Sequence, residues 1–172
     1  MNLDENISIV EYDPLWDLLF NKEASDIKAT LDFNNVHIEH IGSTSVKGLY
    51  AKPIVDIQIG IDSWSYLDET NKNLIVLGYE YLGEAGVTGR HYFRKRNKHA
   101  FNVHVILWNS ELWINNLLLR DYLKSNKEAA NVYGRLKIDA IKKGIKTLLA
   151  YSDHKGDFIR ELLETARGSK SN

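Results

Sequence analysis

Gly42-Ser43-Thr44-Ser45 is a turn carrying three hydroxyls in a row, and it is followed by Lys52 and Asp56. Consecutive backbone N–H groups in such a turn form a concave anion nest, and hydroxyls add donors. Gly42, Ser43, Thr44 and Ser45 are therefore candidate phosphate contacts, with Lys52 as the nearby cation. Twelve residues separate Ser43 from Asp56. A carboxylate on a β-branched strand is partnered, open to solvent or a metal ligand, because an unpaired buried charge is costly. His104 is a second candidate: its imidazole is either a hydrogen-bonded core group or a ligand for a metal, a phosphate or a base. Asp56 and His104 together would make an acid/base pair. With Ser43 they supply the residue types of a hydrolase triad, but no nucleophile-elbow pattern surrounds Ser43.

These groups depend on strands for their placement. Val36 to Ile41 and Ile54 to Ile61 are β-branched runs bounded by turn formers and predict two strands on either side of the hydroxyl turn. The period of two puts Ile54, Asp56 and Gln58 on one face of the second, with Val55, Ile57 and Ile59 on the other. Lys98 to Leu107 predicts a further strand in which Asn102 and His104 share a face opposite Phe101, Val103 and Val105. Tyr79 to Leu82 and Arg90 to Arg94 predict two more, separated by the three glycines of Gly83 to Gly89, a hairpin loop or a mobile lid. Ile7 to Tyr12 is a short strand or an extended lead-in.

Helices fill the remainder. Asp13-Pro14 opens one that runs to about Leu31, with Leu15, Leu18, Leu19, Ile27 and Leu31 in its apolar stripe. Ser63 caps a second from Trp64 to about Leu77, and Gly78 stands at its C-cap. Glu111 to Lys124 is a third. Ser125-Asn126-Lys127-Glu128 is a capping box for a fourth, which runs to about Lys143, and a fifth starts near Ser152. The helical period sets Tyr151, Lys155 and Phe158 on one side, so Lys155 must reach water, a carboxylate or a phosphate.

His40 to Ile61 resembles the signature of the GrpB family, G-S-T-S-V-P-G-L-x-A-K-P-I-x-D-I, with Lys47 in place of the proline. Further matches are Arg90-x-Tyr92-Phe93, Leu119-Arg120-Asp121-Tyr122-Leu123 for F-R-D-Y-L, Tyr133-x-x-Leu136-Lys137, and Tyr151-x-x-x-Lys155-x-x-Phe158. Where the family has an H-x-H motif, this chain has Asn102 and His104. The resemblance implies a nucleotidyltransferase-like α+β fold of the DNA polymerase beta type. It would be a small mixed or antiparallel sheet with an N-terminal helix and a C-terminal helical segment packed on it. Residues 1–167 would form that single domain, with 168–172 as a frayed tail.

The same resemblance implies transfer of a nucleoside monophosphate to a small acceptor. Asp56, His104 and Lys52 would then be catalytic, and Arg90, Arg120, Lys137 and Lys155 would join Lys52 and the turn in holding phosphate. Magnesium would sit on Asp56, with Gln58 and His104 beside it. The superfamily motif, however, places a second carboxylate at position 58, where this chain has Gln58. The alternative is a catalytically silent protein that binds a nucleotide or a phosphorylated metabolite. Arg120 beside Asp121 also has a purely structural reading.

Composition narrows the class. The 172 residues carry 22 lysines and arginines against 23 acids, a net charge of −1, which argues against a chain-wide nucleic-acid surface. There is no cysteine, hence no disulfide, thiol nucleophile or thiolate-ligated zinc. No signal-type apolar region opens the chain and no apolar run reaches transmembrane length, so a cytoplasmic protein without a membrane partner is expected.

Overall fold

A computed structural model describes residues 4–31 and 36–170. Asp13 Oδ1 accepts the Leu15 N–H at 2.9 Å and starts α1 (Leu15–Thr30). The sheet strands are β1 (His37–Ile41), β2 (Ile54–Ile61), β3 (Glu80–Tyr81), β4 (Arg90–Arg96) and β5 (Ala100–Leu107). Between β2 and β3 lies α2 (Leu67–Val76), and after β5 come α3 (Glu111–Ser125), α4 (Lys127–Lys142) and α5 (Leu148–Lys170).

The sheet order is β1-β2-β5-β4-β3, with β2 and β5 parallel and the other pairs antiparallel. The predicted mixed α+β architecture is the one observed. Val55, Ile57, Ile59, Ile61, Phe93, Phe101, Val103 and Val105 form one face of the sheet, and Trp16 and Ile27 of α1 and Leu74 of α2 cover it. Helices α3, α4 and α5 follow the sheet as a group. Val46 and Leu49, from the turn after β1, pack with Leu123, Tyr133 and Leu162 in a second apolar cluster. That cluster fixes the helical half against the Gly42–Ser45 turn.

Several boundaries differ from expectation for local reasons. Trp64–Tyr66 is a separate 3-10 turn in front of α2. Asn126, not Ser125, caps α4, because its side chain accepts the Ala129 N–H at 2.9 Å while the Ser125 hydroxyl donates back to the Asp121 and Tyr122 carbonyls. The last helix begins at Leu148, four residues ahead of Ser152, and continues to Lys170. Of the tail expected at 168–172, residues 168–170 therefore lie in the helix, and Ser171 and Asn172 fall outside the described residues.

The stretch expected as a strand or lead-in near residue 7 is an extended strap. Asn6 bridges Thr147 and Val10 bridges Ala51, which ties the start of the chain both to α5 and to the segment before β2. Between β3 and β4, Glu84 Oε1 accepts the Gly89 N–H and the Arg90 guanidinium donates to the Glu84 and Ala85 carbonyls. The loop from Gly83 to Gly89 is thus closed on itself as a hairpin loop.

Candidate functional site

Asp56 is the centre of the site. Sheet register sets it beside Asn102 on β5 and opposite Ile41 on β1. Its Oδ1 accepts hydrogen bonds from Asn102 Nδ2 at 2.6 Å and Lys52 Nζ at 3.2 Å, with His104 Nε2 at 3.6 Å. Burial alone would raise this carboxyl, but Lys52, His104 and Asn102 outweigh it and hold Asp56 far below the usual carboxylate range. Burial pulls Lys52 and His104 down, with Asp56 opposing it in both.

Asn102 belongs to a longer chain of bonds. Its Oδ1 accepts from the Tyr92 hydroxyl at 2.7 Å and Arg96 at 2.8 Å, and Arg96 in turn grips Glu5 of the strap at 2.7 and 3.0 Å. In the sequence Asn102 was marked by the face it shares with His104 and by its place in the family's H-x-H motif. Glu5 and Arg96 stand 91 residues apart and left no local signal.

The turn comes close to Asp56. Gly42 has φ +69°, and a Cβ there would stand 2.8 Å from Asp56 Oδ2, so only glycine lets the backbone pass. The segment Ser43–Ser45 is a 3-10 turn, and the Ser45 and Val46 N–H groups are spent on the Gly42 and Ser43 carbonyls. The Thr44 hydroxyl faces His40 Nε2 at 3.0 Å and is buried, while the Ser45 hydroxyl donates to the Gly42 carbonyl at 2.6 Å. The Thr44 and Ser45 hydroxyls are thus engaged by groups at the turn itself. Ser43 is different: half-buried, it accepts a hydrogen bond from Lys137 Nζ at 2.8 Å.

Two further lysines join Lys52. Lys137 is fully buried over the Tyr133 ring at 4.2 Å, and half-buried Lys155 lies 4.8 Å from the Tyr151 ring centroid. Burial, then Lys155 and Lys52, push Lys137 well below an ordinary lysine. Lys155 is lowered by burial against the pull of Asp56. One carboxylate thus sits among three amines from three parts of the chain.

The other expected contacts have protein partners of their own. Arg120 pairs with Glu39 at 2.6 Å and Asp121 at 2.8 Å and donates to the His40 carbonyl, a brace between α3 and β1. The Arg90 guanidinium donates to the hairpin loop and lies 5.1 Å from the Tyr92 ring centroid, close enough to the site for its charge to act on His104 and to feel Asp56. Gln58, fully buried, accepts from Asn116 at 2.6 Å and donates to the Trp113 carbonyl at 3.4 Å, so its amide is spent on α3.

The model of the GrpB protein family matches residues 6–165. The chain belongs to the GrpB family. A solved GrpB protein from Enterococcus faecalis is 34% identical, superposes with a TM-score of 0.86 and shares 96% of this chain and all of that one. The UPF0157 protein YqkA of Bacillus subtilis is 30% identical over 162 residues, 94% of this chain but only 47% of that relative, so this chain spans about half of its length. A cytoplasmic RNA terminal U-transferase superposes with a TM-score of 0.54 at 15% identity over 79% of this chain and 42% of that one, a likeness of fold alone. The GrpB chain thus has the nucleotidyltransferase-like fold that its signature implied.

The resemblance implied magnesium on Asp56 with Gln58 and His104 beside it, and a metal pair needs bridging carboxylates. Here the donors do not fit such a pair. Asp56 stands alone, the position 58 amide is engaged by α3, and among the described residues no three His, Cys, Asp or Glu side chains gather around a common point.

Proposed function

We propose that this GrpB protein binds the phosphate of a nucleotide or phosphorylated small molecule through Lys52, Lys155 and the Ser43 turn, without a magnesium pair. The observation that carries the reading is the excess of cations. Lys52, Lys137 and Lys155 converge on a region whose single carboxylate, Asp56, is already compensated by Lys52 and Asn102. Buried amines in such excess are unfavourable until an anion arrives, so the free-energy gain on phosphate binding comes largely from relieving them. Nucleotidyl transfer, which the fold resemblance implied, would need the second carboxylate that Gln58 replaces.

Thermal shift tests this directly, since a ligand that binds only the folded state raises the melting point. Inorganic phosphate, nucleoside triphosphates and sugar phosphates are expected to raise it equally in EDTA and in magnesium. Lys155→Met should weaken phosphate binding by about tenfold, the loss of one charge-assisted contact. A shift that requires magnesium and vanishes in Asp56→Ala would restore the transferase reading, and no shift with any phosphorylated compound would remove both.

A further inference from the structure

We propose that the groove between α4 and the Gly48–Tyr50 segment is a binding site for a small aromatic carboxylate, which Arg135 holds by its charge and Tyr50 by its ring. The site is separate from the phosphate region and does not rest on the reading above.

The groove encloses about 200 Å³. Spacing of four along α4 aligns Ala130, Gly134 and Ile138 in one stripe that forms its helical wall, beside the buried stripe of Tyr133, Lys137 and Ala140. Leu49 is its buried apolar side, while Gly48, Asn131 and Arg135 are exposed at the rim, so the groove is open to solvent.

Gly134 shows that this space is kept rather than left over. It stands in the middle of α4, where only proline forms helix less readily than glycine. Its backbone is helical, so no left-handed φ calls for glycine there. Nor does the opposing segment. A Cβ on Gly134 would stand 3.6 Å from Leu49 Cδ1 and 3.8 Å from Tyr50 Cδ2, which are ordinary contact distances. An alanine would therefore strengthen the helix and fill the slot. Glycine leaves the slot open against Leu49 and the edge of the Tyr50 ring.

The lining sets the ligand. Arg135 has no ion pair or side-chain hydrogen bond among the described residues, and its guanidinium fork matches a carboxylate in two parallel bonds. The Asn131 amide beside it supplies a further donor. Tyr50 is anchored at its far end, where the hydroxyl donates to Glu11 at 3.0 Å, which leaves the ring to pack against a flat apolar body. Inorganic phosphate would satisfy Arg135 but leave Leu49, Ala130 and Ile138 uncovered. The volume falls below the ~300–1,000 Å³ of pockets for drug-sized ligands, so the occupant is a single ring with its acid.

The probe is benzoate, with benzamide as its neutral isostere and acetate as the acid without a ring. Isotope labelling of the eleven glycines alone gives a spectrum in which Gly48 and Gly134 report on the groove. Benzoate is expected to move both signals saturably, and benzamide and acetate to bind at least tenfold more weakly. Arg135→Met should lower benzoate affinity at least tenfold. Gly134→Ala, followed through Gly48, should weaken benzoate to the same extent while raising the melting temperature by a few degrees. The proposal is overturned if benzoate leaves Gly48 and Gly134 unmoved, if benzamide binds as well, or if Arg135→Met binds like wild type. A Gly134→Ala chain that melts lower or does not fold would show that packing requires the glycine, and would overturn it too. Phosphate that displaces benzoate would merge the groove with the phosphate region and have the same effect.

Discussion

His40 illustrates how one side chain links the site to pH. Its ring stacks on Phe20 of α1 at 4.7 Å, contacts the Thr44 hydroxyl, and lies 3.5 Å from Asp17. Burial outweighs the attraction of Asp17 and Asp56 and pulls its pKa from 6.5 down to about 4. The unfolded chain therefore binds more protons here between those values, so stability falls as pH drops from above 6.5 toward 4. The contribution is roughly 3 kcal/mol at most. Urea unfolding across that range should show a steeper acid decline in the wild type than in His40→Gln, and parallel declines would refute the assignment. Gln58 offers a sharper substitution. Gln58→Asp would aim a carboxylate at the Trp113 carbonyl in a fully buried position, with a predicted cost of about 3–5 kcal/mol. Calorimetry should find that loss with no gain in magnesium affinity; a variant that melts like wild type and takes up magnesium would contradict the picture of an amide committed to α3.

Among the elements, the turn from Gly42 to Ser45 and the strands β2 and β5 do most to build the site. Gly42→Ala forces a positive φ on a side chain whose Cβ would meet Asp56 Oδ2 at 2.8 Å, so a loss of about 1–3 kcal/mol is expected in denaturant titration. A wild-type midpoint would mean that Asp56 swings away at little cost. This is also the scale at which the sequence was most informative. Alternation in Ile54–Ile61 set Asp56 apart from Val55, Ile57 and Ile59, and in the strand expected over Lys98–Leu107 it put Asn102 and His104 on a shared face; the β2–β5 register makes the two faces one. The hydroxyl turn was visible as well, but not the use of its hydroxyls: Thr44 and Ser45 are satisfied locally, a choice made by backbone curvature rather than composition. The linear reading offered Arg120 both a phosphate-binding and a structural role beside Asp121, and Arg90 a phosphate-binding one. Their partners, Glu39 and the Glu84 and Ala85 carbonyls, are set by how β1 meets α3 and how the hairpin closes.

At the scale of the molecule, the site is a meeting of distant segments. Lys52 and Asp56 come from around β2, Lys137 from α4, Lys155 from α5, and the strap contributes Glu5 through Arg96 and Asn102. Glu5→Ala should therefore cost about 1–3 kcal/mol, a bidentate charge-assisted pair, and lower the melting temperature by several degrees. A scan that matched wild type would show the strap to be held by its backbone bonds alone. Those bonds join Ile7 to the Lys146 carbonyl and Leu148 to the Glu5 carbonyl. On the ribosome, the clasp near Glu5 has to wait for Leu148 to emerge. Lys155 follows still later. A chain that stops short of α5 would thus leave its cationic cluster unfinished, and whatever chemistry the cluster performs begins only once α5 has been made.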